Sequence, residues 1–448
     1  MAIAEQPAAC MAPGREPARA APDWIPAKRI AFRFCVVYFG LYIVLTQMLT
    51  SLLLATTNDS GAFELDMTRP AKAAIVWVAA RVFRVSGPLV TFETGSGDRL
   101  YDWVELFCIL ALAILGTALW SVLDRKRRNY GKLHAWFRVF ARFALAATMF
   151  TYGMVKVVPL QMPFPSLDRL IEPYGNLSPM GVLWASIGAS PAYEIFVGCA
   201  EMMGGILLIL PRTTMLGSLI CLADAAEIFT LNMTYDVPVK LLSLHMILLS
   251  LILVAPDSRR LINLFFLGRA VPGSSDSPLF LRARANRLAL ALQILAGMSL
   301  IAANVYGAAS AYKVYGAARP KSPLYGVWNV ETLTLGGRAR PPLLTDGTRW
   351  RRLVFDRPTS MTTWSMADRA QRYAVTIDRT EKTLRVTKSG DGTSMGSFSY
   401  GQPDENHLAL DGLWDNQKIH AELDRQDESR VLLKTRGFHW VQDYPFNR

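Results

Sequence analysis

The sequence predicts an α-helical polytopic membrane bundle of about seven spans, followed by an all-β antiparallel barrel-like domain. Three observations predict it. Of the 448 residues, 51% are hydrophobic and only 19% are charged, a balance that suits a membrane protein carrying a soluble part. Seven apolar runs approach the roughly 20 residues that a bilayer core requires. Beyond residue 320 the pattern changes to short alternating runs separated by turn residues, as strands of a barrel or sandwich require.

The elements follow in order. Residues 1–29 are rich in Ala and Pro and are expected to be a disordered cytoplasmic terminus. Residues 30–135 hold two spans, at 30–55 and 102–123. The run AKAAIVWVAARVFRV at 71–85 lies between them and is too short to cross, so it reads as an interfacial helix. Residues 136–256 hold four spans, at 136–158, 191–210, 213–232 and 239–255. Residues 257–306 supply a loop and a last span at 287–306. Five Lys or Arg lie in residues 1–33, five in the loop 124–135 and six in 256–287, whereas the loop 159–190 has only Arg169 and 233–238 has none. The positive-inside rule then sets the N-terminus in the cytoplasm of a bacterial inner membrane and the C-terminal domain outside. The net charge of +12 therefore reports membrane orientation and not nucleic-acid binding. None of the five cysteines forms a C-x-x-C pair. No metal, haem or flavin motif is present.

Residues 320–448 carry the strand-like runs GVWNVETLTL, WRRLVFD, MTTWSM, RYAVTID, TLRVTK, GSFSY, HLALDG, KIHAELD and RVLLKT. The opening Gly326-Val327-Trp328 resembles the G-x-W that begins the first strand of lipocalins. That resemblance implies a Trp closing the barrel base beneath an Arg from the last strand, for which Arg436 is the candidate.

Two central spans carry a further pattern. RFALAATMFTYGMVK gives Arg142, Gly153 and Lys156, and GCAEMMGGILLILPRTTMLG gives Glu201, Gly204, Gly205 and Arg212. Residues 136–256 resemble the DoxX family of four-helix membrane proteins. There an Arg begins the first helix, a G-x-x-K ends it and an E-x-x-G-G run occupies the second. The whole chain is similar to larger bacterial DoxX-type proteins ending in the same WRR…RGFHW…YPFNR region. The resemblance implies a redox context, its relatives being linked to thiosulfate–quinone oxidoreduction, to methylamine-pathway maturation and to complexes with thiol and superoxide detoxifying enzymes. It does not choose among them, and quinone as cofactor with a soluble redox partner is one expectation.

The ionisable residues of the core can be ranked by depth. Span direction sets Lys156, Glu201, Asp224, Glu227, Lys240 and His245 between the bilayer middle and its outer edge, with Arg142 deeper. A lone charge there costs roughly 2.5–3.5 kcal/mol even on insertion scales, so mutual pairing is expected. One reading is a polar quinone pocket in the outer half of the bundle. Lys156, Glu201, Glu227 and His245 would be its reactive groups, and Arg142, Tyr152, Asp224, Tyr235 and Lys240 would hold the ligand. The bland reading is a buried network that fixes helix register. Two non-enzymatic functions compete: a lipid or small-ligand binding or transport module, and a scaffold for a periplasmic complex. The loop 159–190 is expected to act as a lid. Asp98 or Ser96 is expected to cap the second span, and Asp236 or Thr234 the sixth.

Overall fold

The computed structural model describes residues 23–54, 69–92, 94–271 and 278–447. Most of the expected disordered N-terminus lies outside these. The helices are α1 (Pro26–Leu45), α2 (Gln47–Leu54), α3 (Arg69–Arg81), α4 (Leu100–Leu123), α5 (Gly131–Val157), α6 (Leu167–Ile171), α7 (Pro179–Gly188), α8 (Pro191–Ile209), α9 (Thr214–Thr234), α10 (Lys240–Val254), α11 (Ser258–Phe265), α12 (Ala283–Val314) and α13 (Leu432–Thr435). Among the described residues five helices are long and apolar enough to cross a membrane: α4, α8, α9, α10 with α11, and α12. A sixth crossing results if α1 and α2, bent by 71°, form one span.

The remaining expected span is α5. Lys132, Arg138, Arg142 and Lys156 interrupt its apolar sequence, but it is 27 residues long and its middle is almost wholly buried. It packs against α1, α2, α8, α10 and α12, so Arg142 and Lys156 are buried against protein, while Lys132 in its first turn is exposed at the basic end. The break between α1 and α2 has a local cause. Thr46 takes an extended backbone, and both its N–H and its hydroxyl donate to the Tyr42 carbonyl, ending the helix there. Helix α3, with 13 residues, reaches only about 20 Å. It lies against Tyr101 and Val104 of α4 through Ile75 and Ala79.

Helix directions give the bundle two ends. The starts of α1, α5, α9 and α12 gather at one, with the basic loops; it is called the basic end here. The start of α10 and the end of α12 mark the other, where the β-domain begins, and this is the barrel end.

The β-domain contains β1 (Gly326–Leu335), β2 (Arg338–Ala339), β3 (Trp350–Phe355), β4 (Ser360–Ser365), β5 (Ala370–Asp378), β6 (Thr383–Lys388), β7 (Ser394–Gly401), β8 (His407–Trp414) and β9 (Gln417–Arg425). Each strand from β3 to β9 pairs antiparallel with the next, β3 pairs with β1, and β9 closes onto β1. The result is an eight-stranded barrel with β2 as a short flap. Alternate residues point inward. Trp328, Val330, Leu353, Phe355, Met361, Val386, Phe398, Leu410 and Leu423 belong to one buried apolar cluster that fills the interior, as a barrel of this strand number permits.

Two details differ from expectation. RVLLKT is not a ninth strand; Leu432–Thr435 is one helical turn, because closure of β9 on β1 leaves no edge for it to join. The arginine beside the G-x-W tryptophan is Arg425, not Arg436. Arg425 is the cross-strand partner of Trp328. Gly326 has φ +151°, and a Cβ there would lie 3.0 Å from the Arg425 Nε, so glycine makes room for the guanidinium. Arg436 instead lies over the Phe446 ring in the C-terminal segment. At the opposite mouth Arg349, 2% exposed, donates to the carbonyls of Val330, Glu331, Arg340 and Trp350. The bulge of β1 between Val330 and Thr332 is the site of two of those acceptors.

The barrel rests on the bundle through its outer wall. Leu167 of α6 packs among Val327, Val354 and Trp364. Asp168 accepts hydrogen bonds from the Thr362 hydroxyl at 3.0 Å and the Trp364 indole at 3.1 Å. The loop 159–190 is thus a seat for the barrel and not the lid expected from its composition.

Candidate functional site

The paired charges come first, because helix packing creates them. Helices α5 and α8 approach so closely that a Cβ on Gly198 would lie 2.6 Å from the Val157 nitrogen and 2.7 Å from the Gly153 carbonyl oxygen. Small residues permit this approach in membrane bundles. It brings Lys156 Nζ to 2.7 Å and 2.9 Å from the two carboxylate oxygens of Glu201, and Lys156 also donates to the Tyr152 carbonyl at 3.3 Å. Glu201 is 1% exposed. Asp224 and Glu227 of α9 lie within electrostatic range of both members of the pair. Glu194, two turns before Glu201 on α8, is fully buried as well. Its Oε1 accepts from the Met162 N–H at 2.9 Å, while Oε2 has no hydrogen-bond partner. It is absent from the groups expected above, and its spacing of seven from Glu201 is the signal the sequence carries for it.

The other expected members go elsewhere. His245 is 1% exposed and sits between aromatic rings of α1. It stacks on Tyr42 at 3.6 Å between centroids, with the Tyr38 hydroxyl 2.8 Å from Nε2. The Leu241 carbonyl lies 2.6 Å from Nδ1. A carbonyl only accepts, so Nδ1 carries a proton, and in the neutral ring Nε2 accepts from Tyr38. Lys240 pairs with Asp236 at 3.0 Å and reaches Asp98 at 3.8 Å. Arg142 donates to the Leu208 and Ile209 carbonyls at 2.8 and 2.6 Å, satisfying the C-terminal acceptors of α8. Tyr235 follows the end of α9, half-buried. Tyr152 turns its hydroxyl to Gln47 at 3.1 Å.

The capping scheme also differs. Asp98 does not cap the helix it precedes; its two oxygens accept the N–H groups of Lys240 and Leu241 at 2.8 and 3.0 Å. It therefore caps α10, some 142 residues away. The start of α4 is closed by Asp102, which accepts from the Arg99 backbone and guanidinium. Asp236 is exposed with φ +52°, which leaves it on the turn and not at the cap.

A cleft of about 430 Å³ opens beside these groups at the barrel end. Its walls come from the α1–α2 bend, α3, the Gly95–Gly97 turn, the first turns of α4 and α10, and Tyr152 of α5. Apolar surface is given by Leu45, Leu49, Ile109 and Leu242, and polar groups by Gln47, Lys72, Arg99 and Glu105. Glu105 is 8% exposed and lies one turn beyond Asp102 on α4. Of the expected site residues only Tyr152 lines this cleft. Bending α1 away from α2 makes the space, and the bend carries no Gly or Pro signal. Among the described residues no group of three or more His, Cys, Asp or Glu is arranged to hold a metal ion.

No family model matches the chain, and no solved structure matches it. Over 131 residues it is 34% identical to the uncharacterized protein YwoB of Bacillus subtilis (strain 168), an overlap of 29% of this chain and 80% of that relative.

Proposed function

The chain belongs to the family of YwoB, and from that premise and the geometry of the barrel-end cleft we propose a DoxX-like membrane protein that binds a quinone. The observation that carries the reading is the cleft itself. A quinone ring needs apolar walls, which Leu45, Leu49, Ile109 and Leu242 offer, and its carbonyls need hydrogen-bond donors, available from Gln47, Lys72 or Tyr101. In this reading a soluble redox partner delivers two electrons. Two protons are taken up with them, and Glu105 is the carboxyl group placed to pass one on. The basic end faces the cytoplasm and the barrel lies outside a bacterial inner membrane, as the distribution of Lys and Arg supports. The Lys156–Glu201 pair is architecture in this proposal. It lies outside the cleft wall, and its two charges satisfy each other.

Organic extraction of the detergent-purified full chain, read by mass spectrometry against an equal mass of an unrelated membrane protein, tests the proposal. Stoichiometric quinone is expected, and Gln47→Ala and Glu105→Gln should lower its occupancy while the fold survives. Absence of enriched quinone, or occupancy indifferent to both changes, would overturn it.

The docked barrel favours a second reading, that of a scaffold for a complex outside the membrane. Its interior is filled by side chains, so it offers little room as a receiver of lipid. Its position is instead tied to the bundle through Asp168 and Leu167. Pull-down of one defined periplasmic partner, lost when residues 320–448 are removed, would support that role; unchanged recovery would reject it.

A further inference from the structure

A second and larger cleft, of about 760 Å³, lies at the basic end, far from the quinone cleft. It is bounded by the first half of α5, the α8–α9 turn, the end of α10 and the first turns of α12. Arg138, Arg142 and Arg212 line it. Arg142 is engaged with the α8 carbonyls, whereas Arg212 has no carboxylate partner among the described residues. Among the described residues the acidic side chain in the wall is Asp257, held by Arg260 at 2.6 Å. The described wall is therefore cationic. Thr214 opens α9 in the same wall, so the positive end of that helix dipole adds to the field.

Two features narrow the ligand. The wall also includes Val139, Leu279 and Leu290. Leu290 is 38% exposed, and Ile294 and Met298, one and two turns further along the same face of α12, are 37% and 64% exposed, so apolar surface continues from the cleft along the lipid-facing side. A free anion has no use for that surface, whereas a lipid has. Gln293 is 9% exposed. Its amide donates to the Ala289 carbonyl at 3.1 Å, and its Oε1 is buried without a partner. A buried carbonyl oxygen left unpaired is destabilising, and what it lacks is a hydrogen-bond donor. A phosphate diester cannot supply one, but a headgroup hydroxyl can.

We propose that this cleft binds an anionic phospholipid, the phosphodiester meeting Arg212 and Arg138 and a headgroup hydroxyl donating to the Gln293 Oε1. The acyl chains run along Leu290 and the outer side of α12. Basic hollows between helices on the positive side of a membrane suit such headgroups.

The full chain in neutral detergent is titrated with dioctanoyl phosphatidylglycerol, dioctanoyl phosphatidylmethanol, dioctanoyl phosphatidylcholine or inorganic phosphate, and the thermal midpoint is followed. Phosphatidylglycerol is expected to raise it most. Arg212→Gln should weaken phosphatidylglycerol by about fivefold, the effect of one surface-near charge. Gln293→Leu should abolish the preference for phosphatidylglycerol over phosphatidylmethanol, a phosphodiester of the same charge without the headgroup hydroxyl. If inorganic phosphate stabilises as well as the lipid, the site serves a soluble anion and the proposal fails. Equal effects of phosphatidylglycerol and phosphatidylcholine, or an unchanged response in Arg212→Gln, also overturn it. Should Arg212→Gln not fold, Arg138→Gln and the charge-keeping Arg212→Lys make the same comparison.

Discussion

Replacing Asp168 tests how the barrel is held. Its carboxylate accepts from Trp364 and Thr362, side chains only 2% and 5% exposed. Asp168→Ala strands both donors in a buried seam, at about 1–3 kcal/mol each. The two are neighbours and not independent, so a total of about 2–4 kcal/mol of docking stability should be lost. Asp168→Asn is the informative contrast. The amide oxygen still accepts from Trp364, and the Thr362 hydroxyl can rotate to accept from the amide nitrogen. Arg372 lies 3.8 Å away and is 70% exposed, so the lost ion pair is worth little. Burial pushes the Asp168 carboxyl above the ordinary aspartate range, against the opposing effect of its two hydrogen bonds. The docked state thus binds the proton more tightly than the free loop. Docking is strongest below the ordinary value and weakens as pH rises through the raised one. Asp168→Asn should remove that slope. Hydrogen exchange of α6 and β4 in the full chain reads both effects. Equal protection in the Ala and Asn variants, or an Ala variant indistinguishable from the parent, would refute the anchor.

Lys156→Met or Glu201→Leu alone leaves an uncompensated buried charge, at about 3–5 kcal/mol, while the double replacement should recover much of the loss; thermal stability in detergent gives the coupling energy. Gly198→Ala should destabilise by about 1–3 kcal/mol through overpacking, because its Cβ meets α5 backbone at 2.6 Å, whereas Gly40→Ala, with nothing within 4 Å, should be harmless in the same melt. Asp98→Ala should cost about 1 kcal/mol as a lost cap, appearing as faster exchange at the start of α10 and not of α4. The Asp404 carboxylate, 2.8 Å from Nδ1, holds His407 above the usual histidine value. Its contribution to the barrel is full below that ordinary value and fades as pH rises through the raised one. An NMR titration should show the elevation, and Asp404→Asn should remove most of it, leaving the smaller effect of Asp424.

What the sequence made legible was mostly depth. Span direction and charge placed Lys156 and Glu201 in the same half of the bundle, among several groups expected to pair, and opposite charges in an apolar bundle have strong reason to meet. The basic loops marked one end for the same reason. The rotation of each helix about its axis was not legible. His245 and Glu227 share the outer half, yet His245 turns into the tyrosines of α1 while Glu227 stays near Glu201, because packing of α10 on α1 decides which way the ring points. Contacts across long separations were equally hidden. Asp98 reads as a cap for the helix beside it, and only the folded loop carries it to α10. The cleft at the barrel end draws its wall from six separate segments around a bend that a threonine, not a proline, makes. In the β-domain the alternation was clear enough to give eight strands; closure, which excluded the ninth, was not.

The barrel has two moorings. One is the covalent thread from α12; the other is Asp168, twelve residues beyond Lys156. Between Lys156 and that second mooring the chain is gripped again, where Glu194 of α8 holds the Met162 N–H. A tug on the barrel by anything that seizes it is therefore not absorbed by a slack tether. It travels along a short taut segment into the two helices that carry the buried ion pair, so load applied outside the bundle arrives at the seam between α5 and α8.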